Sequence, residues 1–122
     1  MTRRLLVLGA VSEAATGVIV MVVPAVFVRL LLGADLPGAG VAVGRLAGFA
    51  LLALGMACWP DARPASGQTA ALRALLTYSF LVTVYLLSLG LGGTLAGRLL
   101  WPAVMLHAVY TLLLGRAWLG RS

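Results

Sequence analysis

Four apolar stretches fill most of the chain: Leu5 to Val23, Val41 to Trp59, Ala70 to Leu91 and Leu99 to Leu119. Each is close to the ~20 residues a helix needs to cross a hydrocarbon layer ~30 Å thick. The apolar positions do not alternate with polar ones, as Leu-Leu-Ala-Leu-Gly-Met-Ala at 51 to 57 shows, whereas a barrel strand alternates over ~10 residues. Helices are then the remaining way to satisfy the backbone in lipid. The pattern predicts an all-α, polytopic membrane protein: residues 1–122 form one four-helix transmembrane bundle with helices at about 5–23, 41–59, 70–91 and 99–119. Pro24 must end or kink the first helix, because it has no amide hydrogen and its ring crowds the preceding turn. The residues after it, with Arg29 among Val, Phe and Leu, form either a short amphipathic piece at the outer interface over 24–33 or a bent continuation of the first helix. Asp61 to Gln68 and Gly90 to Gly97 have the Pro, Gly and Ser content of turns, and loops this short leave no second domain. Arg3 and Arg4 ahead of an apolar run, with small Ala10 and Ser12, imitate a secretory signal; apolar sequence continues well past Ser12, so the segment is read as a retained helix.

Composition agrees with this class. Hydrophobic residues make up 62% of the chain, charged residues 10%, and mean hydropathy is +1.09, against roughly 25% charge in an average soluble domain. The lipid bilayer is therefore the first partner. All nine basic residues are Arg. With the N-terminus inside, Arg3, Arg4, Arg63, Arg73, Arg116 and Arg121 lie on the cytoplasmic side and Arg29, Arg45 and Arg98 on the other, which predicts that both termini are cytoplasmic. A formal charge of +6 could suggest nucleic acid, but the Arg residues are scattered at helix ends and form no basic face, so no nucleic-acid partner is expected. Trp59, Trp101 and Trp118 sit at stretch ends, where an amphipathic ring prefers the membrane interface.

Apolar side chains gain little by leaving lipid for protein, so membrane helices associate through small residues and polar contacts. Gly40, Gly44 and Gly48 recur every four residues and form a glycine zipper on one face of the second helix, with Gly55 on a nearby face. Gly9, Glu13 and Gly17 share that spacing on the first helix, which turns the carboxyl toward a close neighbour.

Glu13 is the only acid inside any of the four stretches. An acid near mid-membrane costs at least ~2.5 kcal/mol on insertion scales, so it is the leading functional residue. At ~1.5 Å per residue, Glu13 and His107 each lie nine residues inward from a flanking Arg, roughly 13 Å deep and at one level. Arg45 enters from the other side, about 7 Å above that level by the same rise. Tyr110 and Thr111 share the His107 face, Thr16 shares the Glu13 face, and Tyr78 and Tyr85 line one stripe of the third helix. The expected ligand- or proton-binding cluster is Glu13, Arg45, His107, Tyr110, Thr16 and Tyr78. Blander roles stay open: Arg45 snorkelling to the outer interface, and His107 and the tyrosines packing. An Arg45 partner would keep Glu13 ionised and staple the first two helices; without a cation the neutral acid suits a proton carrier or a hydrogen-bond donor.

Enzymatic chemistry finds little support. One cysteine, Cys58, allows no internal disulfide, CxxC pair or thiolate-rich metal site. One His cannot build a zinc or di-iron centre, although it could give one axial ligand to a haem or pigment. There is no Lys for a Schiff base, no GxSxG, no phosphate loop and no GxGxxG. A non-enzymatic protein without metal or cofactor is expected, with the haem-holding subunit as a further alternative.

The layout of Pro24 to Gly33 followed by Gly-Arg-Leu-Ala-Gly-Phe-Ala-Leu-Leu-Ala-Leu-Gly at 44 to 55 resembles the small four-helix bacterial membrane proteins grouped as DoxX-like. That resemblance spans most of the chain in outline and implies a compact bundle in the bacterial inner (cytoplasmic) membrane, in some members an accessory to a redox enzyme, with no catalytic residue to transfer. The stretch Leu-Gly-Ala-Val-Ser-Glu-Ala-Ala-Thr-Gly at 8 to 17 is similar to small multidrug resistance exporters, which also have four helices and one acid in the first. Those exporters work as dimers and use the acid for both proton and cationic drug. Here the match covers about ten residues, the third helix has no Trp, and the uneven Arg split argues against dual topology. The expected function is an accessory or ligand-binding bundle for a small hydrophobic or amphipathic ligand, with proton-coupled export as the alternative and a homodimer or larger membrane complex left open.

Overall fold

A computed structural model describes residues 2–60 and 65–121. The described residues form five helices and no strand: α1 Thr2–Val22, α2 Pro24–Leu32, α3 Gly38–Ala57, α4 Ala65–Gly92 and α5 Leu100–Leu119. Four of them, α1, α3, α4 and α5, are long and apolar enough to cross a membrane. The segment after Pro24 is a helix of its own. It begins at the proline, as the missing amide hydrogen permits, while Val23 leaves the helical conformation (φ −130°, ψ 59°) and makes the bend. Gly33 ends α2 in the left-handed region (φ 68°), which favours a residue without Cβ, and donates its amide to the Arg29 carbonyl.

Three boundaries differ from the sequence pattern, one of them the end of α4, which includes Gly90 to Gly92 of the expected second turn. Helix α4 already includes Ala65 to Gln68, so that part of the expected turn is helical; Asp61 to Pro64 lie outside the described residues. Helix α3 ends at Ala57, leaving Trp59 half-exposed beyond it. Trp101 is similarly exposed, whereas Trp118 packs against the apolar core and is less of a belt residue than its position suggests.

The helices pack as two intimate pairs, α1 on α3 and α4 on α5, and α1 carries most of the join between them. In α1, 39% of the spanning window is buried, against 11% in α3, so α1 is the central helix and α3 covers one flank of it. Among the described residues α3 makes no comparable contact with α4 or α5.

Glycine accounts for the α1–α3 weld. A Cβ on Gly48 would lie 2.6 Å from the Met21 amide nitrogen and 2.7 Å from the Gly17 carbonyl oxygen, and one on Gly17 would lie 2.6 Å from the Leu52 nitrogen. Gly55 meets the Ala10 carbonyl in the same way. The expected glycine row does not serve one neighbour, however: Gly44 faces Pro24, and Gly40 faces Leu36 of its own preceding loop. Gly9 looks the other way, onto the Leu75 side chain of α4.

Two apolar clusters complete the interior. One joins Leu5, Leu6 and Ala10 to Leu72, Leu75 and Leu114; the other joins Leu86, Leu100 and Val104 to Leu31 and Leu32 of α2.

A polar layer across three helices as candidate functional site

Between these clusters lies a polar layer. Glu13 follows the α1 residues of the first cluster by one turn and is 4% exposed. Its position on α1 turns it away from α3 and toward α4, where the hydroxyl of Tyr78 is its hydrogen-bond partner. The Tyr78 ring meets the His107 imidazole of α5 edge to face, with centroids 5.8 Å apart and planes at 78°. Beside them, Ser12 Oγ and the Tyr110 hydroxyl share a hydrogen bond of 3.2 Å that ties α1 to α5. Glu13 to Tyr78 and Ser12 to Tyr110 thus join the helix pairs from α1, and nearer the end of α3 the buried Cys58 thiol donates to the Ala71 carbonyl of α4 at 3.8 Å.

One atom of this layer stands out. His107 Nδ1 is buried and has no hydrogen-bond partner among the described residues. A buried polar atom left unpaired costs about 1–3 kcal/mol, and a neutral imidazole nitrogen can serve as donor or acceptor according to tautomer. The layer therefore has an unused polar valence beside a carboxyl and a phenol.

The remaining expected members fall differently. Arg45 is exposed on α3, and no ion pair among the described residues joins it to Glu13. The reason is the one-sided packing of α3, whose outer face is open to whatever surrounds the molecule, so a long cation has no need to turn inward. Thr16 is half-buried one turn from Glu13, and its side chain makes no hydrogen bond among the described residues. Thr111 donates to the His107 carbonyl at 2.7 Å, back along its own helix, and Tyr85 is 65% exposed and outside the layer. Ser12, by contrast, belongs to the layer although its sequence context shows only a small residue in an apolar run; its partner lies 98 residues away.

No family model, curated protein or solved structure matches this chain.

Among the described residues no group of three or more His, Cys, Asp or Glu gathers to hold a metal ion. A groove of about 570 Å³ between α1 and α3 is lined by Ala14, Ala15, Gly55, Met56 and Trp59 among others. At 100° per residue, Val11 and Ala15 point to the far side of α1 from Glu13, so this groove does not open onto the polar layer. The layer can hold a hydrogen-bonding group in apolar surroundings. Among the described residues no cation pairs with the carboxyl, so the layer offers hydrogen-bonding groups and no charge clamp.

Proposed function

We propose that this chain is a small, non-enzymatic membrane protein of accessory or ligand-binding type. In this reading the Glu13–Tyr78–His107 layer holds the polar group of a small hydrophobic or amphipathic ligand between the two helix pairs. The observation that carries it is the buried, unpartnered Nδ1 of His107 beside the tyrosine that bonds Glu13. A ligand hydroxyl, carbonyl or amine would complete that hydrogen bond, while the apolar clusters on either side would take its hydrocarbon part. The uneven distribution of Arg supports an inner-membrane protein with both termini cytoplasmic, and the resemblance to the DoxX-like group supports an accessory role.

Native mass spectrometry of the protein purified from its membrane tests the reading. A small molecule should accompany the wild type and be lost from Glu13→Gln and Tyr78→Phe, with both variants still helical by circular dichroism. A wild type that carries no such molecule, or variants that keep it, would reject the layer as the binding site.

Proton-coupled export has one observation in its favour, the division into two tightly packed pairs that meet along a thinner seam holding the polar layer. Alternating access needs such a plane of movement. Uptake of tetraphenylphosphonium by proteoliposomes, driven by an imposed pH gradient and abolished in Glu13→Gln, would decide for this reading; its absence would decide against it.

A further inference from the structure

Arg29 has neighbours of opposite kind on its two sides. On one side its Nε and Nη2 donate to the Asp35 carboxylate. On the other side it walls, with Arg98, a cleft of about 410 Å³ floored by Leu30 and the backbone around Gly33 and Gly97. Backbone bonds build this cleft. The Gly97 amide donates to the Leu31 carbonyl at 2.9 Å and the Leu99 amide to the Leu30 carbonyl at 2.8 Å, so the α4–α5 turn is bonded onto the last turn of α2. Gly97 has no room for a side chain there, because a Cβ would overlap the Leu30 carbonyl. Arg98 is thereby held at a set position relative to Arg29.

Those amides are already used, so the guanidinium groups are what the cleft offers a ligand. Arg98 is exposed and makes no ion pair among the described residues. Arg29 donates to Asp35 through Nε and Nη2, which leaves Nη1. Two Arg side chains at one cleft suit a phosphate, which accepts several charge-assisted bonds at once. Leu30 and Ala96 give the cleft an apolar wall, and Leu30 is 40% exposed, so the occupant should continue into hydrocarbon. The cleft sits at the end of the membrane-spanning helices, where headgroups lie.

We propose that this cleft is a binding site for the phosphate of an anionic glycerophospholipid, with Arg98 and Arg29 as its ligands and Asp35 as an internal competitor for Arg29. Inorganic phosphate shares the same chemistry but lacks the acyl chains that the apolar wall would meet.

The test is native mass spectrometry of the full chain in detergent, titrated with phosphatidylglycerol or with phosphatidylcholine of the same acyl chains. Phosphatidylglycerol should be retained several-fold over phosphatidylcholine. Arg98→Gln and Arg29→Gln should each weaken it about fivefold, the effect of one cation near a headgroup. Asp35→Asn should strengthen it, because Arg29 is then released to the cleft. Arg45→Gln, which removes the same charge from an exposed position on α3 that does not line the cleft, should leave it unchanged. Equal retention of the two lipids, an equal loss in Arg45→Gln, or no gain in Asp35→Asn would overturn the site. Displacement of the lipid by millimolar inorganic phosphate would overturn the lipid assignment in favour of a soluble anion.

Discussion

Glu13 is held by a hydroxyl and, among the described residues, by no cation, and this decides how its replacement should behave. Glutamine keeps the shape and a carbonyl oxygen that can still accept from Tyr78, so Glu13→Gln should change stability by less than about 1 kcal/mol, the worth of one hydrogen bond. Tyr78→Phe instead leaves the buried carboxyl without its donor and should cost about 1–3 kcal/mol. Thermal unfolding in detergent reads both. Combining Glu13→Leu with Tyr78→Phe removes the polar pair altogether, and its cost should fall short of the sum of the two single changes because neither group is then left unpaired. Strict additivity would mean that the two side chains do not interact. The burial of Glu13 was legible in the sequence, since a lone acid in an apolar helix is disfavoured facing lipid. The place of Arg45 was not. Counting residues gives depth along a helix but not which neighbours cover it, and α3 is covered by α1 on one flank only. Ser12 was hidden for a related reason: a hydroxyl in an apolar run becomes a polar contact only when a distant tyrosine meets it.

The α1–α3 pair rests on backbone meeting backbone, and that predicts a graded response to adding one methyl group. At Gly48 the new Cβ would meet the Met21 amide at 2.6 Å, where nothing can move aside unless the helices separate, so Gly48→Ala should cost about 1–3 kcal/mol. At Gly9 the obstacle is the end of the Leu75 side chain at 2.9 Å, which can rotate, so Gly9→Ala should cost less. Gly38 has nothing within 4 Å, and Gly38→Ala should be neutral or slightly stabilising through helix propensity. Thermal unfolding of the three variants checks the order, and a Gly48→Ala protein as stable as Gly38→Ala would remove the weld. The four long helices were readable from apolar length within a few residues at each end. Two details were not. Ser66 and Gly67 look like turn residues, yet a first helical turn tolerates them because its amides have no intrahelical partner anyway. The glycine row of α3 reads as one interaction surface, but the bend at Val23 and Pro24 carries α1 away from it, so Gly44 ends against Pro24 and Gly40 against Leu36.

The five helices together set the orientation in the membrane. Helix α2 has 9 residues and, at ~1.5 Å per residue, is about half the length needed to span ~30 Å, so four crossings by α1, α3, α4 and α5 would return both termini to one side. That end carries Arg3, Arg4, Arg73, Arg116 and Arg121, all exposed, with Arg121 bonded to Thr69 at 3.1 Å; Arg63 lies outside the described residues. The opposite end carries Arg29, Arg45 and Arg98, one of them paired with Asp35. Lys and Arg in short loops favour the cytoplasmic side, so the end with the termini should be inside and the cleft between Arg29 and Arg98 outside. A green fluorescent protein fused after Ser122 should fluoresce and an alkaline phosphatase fused there should be inactive, while phosphatase inserted in the 93–97 turn should be active. The reverse pattern would invert the molecule and place the Arg29–Arg98 cleft at the cytoplasmic leaflet. A mixture of both patterns from one fusion would mean dual insertion, the arrangement an antiparallel dimeric exporter requires, and would move the balance from a ligand-binding bundle to transport.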